Sequence, residues 1–237
     1  VSGIKFSSGG FDAKYGDKLS SVLDITYKKP QQTGAAVSLG LLGNSLNVEG
    51  SNKTHRFTYL LGYRQKTNRY LLSTQDVKGN YTPNFNDLQA YFSYDVSEKF
   101  ELGLLTNYNS NKFTLVPQDR TTTFGTFGQI MRLDVFYDGQ EIDRFESLMS
   151  GLTATYKPNK DLRLKFITSA FDINESETFD IEASYLFSDV ESDFGKANFG
   201  KIKAYRGIGS YMNHARNYLY SSIYNAEHKG SYHYKRH

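Results

Sequence analysis

From residue 34 onward, apolar and polar side chains alternate with a period of two, the spacing at which a strand sends successive side chains to opposite faces. Between residues 35 and 42, Val37, Leu39 and Leu41 alternate with Ala36, Ser38 and Gly40, and after a Gly43-Asn44 pair of tight-turn type, Leu46 and Val48 alternate with Ser45, Asn47 and Glu49. Residues 56–64 set Phe57, Tyr59, Leu61 and Tyr63 against Thr58, Leu60, Gly62 and Arg64. Residues 87–95 set Leu88, Ala90, Phe92 and Tyr94 against Asp87, Gln89, Tyr91, Ser93 and Asp95. The pattern returns at 100–107 with Phe100, Leu102 and Leu104, at 147–156 with Leu148, Leu152, Ala154 and Tyr156, and from 162 with Leu162, Leu164 and Phe166. In residues 216–233, Tyr218, Tyr220, Tyr224 and Ala226 form the apolar set, although Leu219 and Ile223 have the opposite parity. These runs predict eight antiparallel strands and an all-β fold.

The connections differ in kind. Residues 51–54, 96–98 and 157–160 are short polar turns, whereas 65–86, 111–146 and 172–215 are long segments read as loops. Within the second of these, Asp138-Gly139 is a type I′ signal and predicts a small projecting hairpin. The third is acidic and is expected to be partly helical. Short turns alternating with long loops, and strands with one apolar and one charged face, fit a transmembrane barrel better than a soluble sandwich.

Ahead of the alternation, residues 8–29 read SGGFDAKYGDKLSSVLDITYKK. Gly9 and Gly10 precede Phe11, Tyr15-Gly16 marks a reversal, and Leu19, Leu23 and Ile25 line a strand that ends before Pro30. The run Gly9, Gly10, Phe11, Tyr15, Gly16, Ser21, Val22, Leu23, Ile25 resembles the end of the plug domain of TonB-dependent outer-membrane transporters. Ser20-Ser21 stands where many members carry glycine, a form associated with the Bacteroidetes branch.

The resemblance implies that residues 1–30 are the C-terminal part of a plug and residues 31–237 the N-terminal part of a larger β-barrel of about twenty-two strands. It implies the outer membrane of a Gram-negative bacterium, contact with outer-membrane lipid, and active import of a scarce extracellular ligand. The TonB energy-coupling complex is the implied partner, through a segment upstream of this chain, and a surface lipoprotein lid is a further one. The chain begins at Val1 with no signal-peptide pattern and reads as an internal piece. Two other readings stay open: an outer-membrane barrel serving as adhesin or structural subunit of a surface or secretion complex, and a soluble carbohydrate-binding β domain.

Composition adds exclusions. The chain has 237 residues, a formal net charge of +3 and no cysteine, which argues against a polyanionic partner such as nucleic acid, a disulfide framework and a cysteine zinc site. It contains no run of about 18 apolar residues that would form a membrane helix, a test to which barrel strands are invisible. No nucleophile elbow, P-loop or dinucleotide fingerprint occurs, so no enzyme activity and no cofactor are expected. The carboxylates Glu175, Glu177, Asp180 and Glu182 invite an acid/base reading, and His228, His233 and His237 a metal reading; a solvated loop face and interfacial strand ends account for them more simply. Arg64, Arg69, Tyr70, Tyr81, Arg120, Arg132 and Tyr205 are the candidates for ligand contact, as stacking and hydrogen-bonding side chains.

Overall fold

The computed structural model describes residues 1–12, 14–16, 20–67 and 79–234 of the protein. Two antiparallel sheets make up the fold. Strands β1 (Gly3–Ser8) and β2 (Ser21–Thr26) form a hairpin of their own. The other ten strands form one sheet: β3 (Gly34–Gly40), β4 (Gly43–Ser51), β5 (Phe57–Lys66), β6 (Gly79–Tyr81), β7 (Asn84–Ser97), β8 (Phe100–Pro117), β9 (Arg120–Thr126), β10 (Gln129–Tyr156), β11 (Leu162–Val190) and β12 (Ile202–Tyr232). The order along the sheet is β3-β4-β5-β7-β8-β10-β11-β12, a meander in which each strand pairs with the next one in that series. Short β6 adds to the far end of β8, and β9 continues the line of β8 alongside β10.

The short turns lie together at one end. Lys157 N donates to Lys99 O at 2.8 Å, Asp95 N to Arg56 O at 2.8 Å and His233 N to Asp161 O at 2.8 Å. At the opposite end the strands run on where loops were expected. Residues 111–146 are the end of β8, then β9 and most of β10, with the reversal at Phe127 and Gly128. Asp138-Gly139 is not a hairpin turn. Gly139 sits inside β10 at φ 93°, where a Cβ would lie 1.8 Å from Asp180 O, so glycine there serves a close strand approach. The acidic segment 172–215 is likewise not helical but the outer halves of β11 and β12, joined across residues 191–201. Thr178, Asp180, Glu182 and Ser184 alternate there with Phe179, Ile181, Ala183 and Tyr185, and this period-two pattern outweighs the acidic composition. At β3–β4 the turn falls on Leu41 and Leu42; Gly43 instead opens β4, where a Cβ would meet Gln65 O at 2.2 Å. β11 alone has 29 residues, a length of about 95 Å at a rise near 3.3 Å per residue.

Directly opposed residues of an antiparallel pair share a face. The rows Val48–Leu61–Ala90, Tyr59–Phe92–Leu104–Leu152, Phe57–Tyr94–Leu102–Ala154–Phe166 and Phe100–Tyr156–Leu164 therefore unite the apolar sets into one continuous face. Tyr224 and Ala226 join it through Ala170 and Thr168, which resolves the facing of the last strand. The opposite face carries Arg64, Asp87, Gln89, Asn107 and Asn109. Farther from the short turns, the parity reverses. Phe113, Leu115, Leu133, Val135, Phe179, Ile181 and Phe187 fall on the face that is polar below, while Ser110, Lys112, Arg144, Glu146, Asn174 and Ser176 continue the face that is apolar below. The apolar face is thus a band, spanning Phe100 to Tyr108 on β8 and Leu148 to Tyr156 on β10.

Gly139→Ala should cost about 1–3 kcal/mol in local pairing, through a strained φ and a clash with Asp180 O. Amide exchange should quicken at residues 136–142 and 178–184. Gly128→Ala, with open space around the added Cβ, should leave it unchanged.

Candidate functional site

The residues that carry charge and hydrogen-bonding capacity fall into three zones along the strands. At the short-turn end of the polar face, Lys29 Nζ lies 2.9 Å from Asp95 Oδ1 and 3.2 Å from Glu101 Oε2, and Lys28 Nζ lies 2.6 Å from Glu49 Oε2. The Tyr27 ring stacks on Tyr91 with centroids 4.8 Å apart, and Gln89 Nε2 donates to Tyr27 Oη at 3.1 Å. A little higher, Arg64 Nε donates to Asp87 Oδ2 at 2.8 Å beside Asn107 and Asn109. Arg64 is therefore a strand residue paired across β5 and β7, where its carboxylate partner holds the guanidinium against the sheet.

The outer zone holds a different cluster. One carboxylate oxygen from each of Glu141, Asp143 and Glu177 lies within 4.8 Å of the others. Register explains the convergence, since Asp143 opposes Glu177 on β11 and Phe113 on β8, while Glu141 opposes Phe179 and Leu115. Carboxylates thus sit among apolar side chains on a shared face. Desolvation, followed by the neighbouring Asp143 and Glu177 charges, raises the Glu141 pKa; desolvation and Glu177 raise that of Asp143. Asp143 Oδ1 is covered and has no hydrogen-bond partner. Three such oxygens are the donor type that holds a hard divalent cation.

Nearer the hairpin tip, Arg132 grips Asp134 with Nε at 2.9 Å from Oδ1 and 2.8 Å from Oδ2, and Thr121 Oγ1 donates to Asp134 Oδ1 at 2.5 Å. Arg132 first, then Thr121, lowers the Asp134 pKa below the ordinary carboxylate range. Arg132 opposes Ser188, which opposes Tyr205, so these two ligand-contact candidates share one row. Tyr205 is exposed. Arg120 opens β9 opposite Val135, and the Tyr81 ring lies 5.9 Å from Phe113. Arg69 and Tyr70 lie outside the described residues. Among the described residues the candidates are thus dispersed over more than one zone, with Arg132 and Tyr205 brought into one row.

The acid/base group separates as well. Glu177 joins Glu141 and Asp143, whereas Asp180 pairs with Arg216 and His214, which lower its pKa. His228 opposes Phe166 and His233 follows the end of β12, while His237 is outside the described residues. Around the plug-like motif, Gly9 has φ 77°, Tyr15 Oη donates to Asp24 and Lys5 Nζ lies 2.9 Å from Asp12, all within the β1–β2 unit. Phe11 and Tyr15 are half-buried. Glu141 and Asp143 escaped sequence reasoning because the pairing of β10 with β11 is what places them beside Glu177. The partners of Tyr27, Lys28 and Lys29 escaped it for the same reason.

The chain matches no protein-family model, no curated protein and no solved structure.

The two groups of carboxylates should respond oppositely to pH. A raised folded pKa favours the protonated form, so pairing around Glu141 and Asp143 is strongest in acid and weakens as pH climbs above about 4, the ordinary carboxylate value. A lowered one makes the Asp134 contribution complete above that range and lost as pH falls below it. Amide exchange corrected for intrinsic rates should therefore slow at residues 141–145 and quicken at 121–134 on acidification. Asp143→Asn should flatten the first response and leave the second.

Proposed function

We propose that this chain is the end of a plug followed by part of the wall of an outer-membrane β-barrel, working in TonB-dependent import of a scarce extracellular ligand. The observation that carries the membrane part is the apolar band. It runs across the paired strands with the Thr106–Ser150 row as a polar interruption, covers nine residues from Phe100 to Tyr108 on β8, and ends where the parity reverses. A tilted strand crosses a hydrocarbon core in about 9–11 residues. Aromatic residues edge the band on β8 and β10, with Phe100 and Tyr156 at one margin and Tyr108 at the other, in keeping with an interfacial girdle.

Several further features support the reading. The opposite face over the same height is mixed, with Asp87, Gln89, Asn107 and Glu101 beside Leu60, Leu105, Met149 and Phe171, and its charged and amide groups are what a wet lumen requires. Turns at one end are short, and at the other the β9–β10 and β11–β12 hairpins are long while β3–β4 closes in two residues, largely the asymmetry of periplasmic turns and outer loops. The β1–β2 hairpin stands on the polar side, with Asp24 in electrostatic reach of Lys165, and Ile4, Phe6, Leu23 and Ile25 remain exposed as a surface for other layers of a plug. The import function, the energy-coupling complex and a lipoprotein lid rest on the resemblance of residues 8–29 to the plug terminus. One observation favours the second reading, an adhesin or structural subunit: strands of 28 to 31 residues carry most of β10 to β12 far beyond any bilayer. Loss of ligand uptake on removing the outer halves of β11 and β12, in a protein that still inserts, would support import; unchanged uptake would favour the structural role.

Leu104 lies at the centre of the band beside Phe92 and Leu152. Leu104→Arg should cost roughly 2–4 kcal/mol in folding into lipid vesicles, whereas Asn107→Arg on the polar face should cost far less. Equal tolerance at the two positions would overturn the membrane assignment.

A further inference from the structure

The chain leaves the β1–β2 hairpin through three residues that each grip the large sheet differently. Tyr27 stacks on Tyr91 and accepts from Gln89, Lys28 pairs with Glu49, and Lys29 pairs with both Asp95 and Glu101. Just beyond, Pro30 is buried and Ser51 Oγ donates to Gln31 O at 3.2 Å. The anchoring groups come from β4 and from the paired strands β7 and β8, so the load is spread over three strands. Gly103 makes room for this arrangement, since a Cβ there would lie 3.2 Å from Tyr91 Oη. Among the described residues, the hairpin pairs with no strand of the large sheet. The next element, β3, is seven residues long and hydrogen-bonded on one side only, to β4. A short edge strand pulled from its end opens one ladder step at a time.

We propose that Tyr27, Lys28 and Lys29 form a clamp that stops displacement of the β1–β2 hairpin from reaching β3. The proposal deepens the import reading, in which the plug must move while the barrel stays closed. Three ion pairs, a ring stack and a side-chain hydrogen bond must then break together before tension passes Pro30. Movement upstream pivots about residues 27–29, and the first strand of the sheet keeps its register with β4.

The test is to pull the protein, folded in lipid vesicles and separately in detergent, from a handle at its N-terminal end in a force instrument. The native chain should extend by about 90 Å, the length of residues 1–26 at roughly 3.5 Å each, and then pause. In the Tyr27→Ala/Lys28→Gln/Lys29→Gln variant the pause should vanish, with about 50 Å more chain from residues 27–40 released in the same event. Glu49→Gln/Asp95→Asn/Glu101→Gln, altered on the sheet side, should give the same loss, and Gly103→Ala should shorten the pause by crowding Tyr91. Release of β3 together with the hairpin in the native protein, or a pause that survives both sets of changes, would overturn the clamp. Failure to insert into vesicles with the pause intact in detergent would overturn the membrane reading alone.

Discussion

The backbone ladder between consecutive antiparallel strands constrains everything else. It fixes which residues oppose one another, and because opposed residues share a face, the alternation in any one strand is copied to its neighbour. A slip of one residue at a single pair would bury the charges of one strand among the aromatics of the next. Residues as far apart as Phe57 and Phe166 lie on one surface only because each intervening pair holds its register. Satisfaction of the N–H and C=O groups by this ladder is also what allows a sheet to cross hydrocarbon on the proposed reading.

The reversal of parity along β8, β10 and β11 divides each strand into two environments. In the inner part, the apolar face bears aromatics and leucines and the other face bears amides and ion pairs. Farther out, apolar residues move to the second face, and carboxylates that share it lose solvation there. Glu141, Asp143 and Glu177 lie among phenylalanine and leucine side chains, and the raised pKa values of Glu141 and Asp143 follow from that placement. Asp134 differs because a guanidinium and a hydroxyl address it directly. Two carboxylates on one strand therefore titrate in opposite directions for local reasons.

Much of the strand arrangement was legible in the alternation alone. The inner halves of all eight meander strands and the short turns between them follow from period two and from turn residues. The outer halves did not, because charge and Asn-Gly-Asp content in 111–146 and 172–215 resembles loop composition, and the reversed parity of Phe179 and Ile181 breaks continuity with Leu164 and Phe166. Asp138-Gly139 misled because a glycine needed for close approach of two strands has the same signature as one needed for a turn. Site residues were less legible still. Their side chains meet across strand pairs separated by up to dozens of residues, as Lys29 meets Asp95, and no local pattern encodes that partner.

The two halves of the strands also differ in what holds them. In the band, on the proposed membrane reading, the exposed apolar face would be stabilised by removal from water, a non-directional term proportional to area. Beyond it, the ribbon of β8 to β12 relies on ladder hydrogen bonds and on side-chain pairs such as Arg132 with Asp134 and Arg216 with Asp180. The exposed Arg216–Asp180 pair contributes little and weakens with salt, whereas Asp134 is buried and its pair with Arg132 is screened less. Toward the tips a smaller apolar cluster adds to the ladder, with Ala183 and Val190 buried and the Phe124 and Phe187 rings stacked 6.1 Å apart. On the proposed reading, the part that must hold its register is the one anchored through the band.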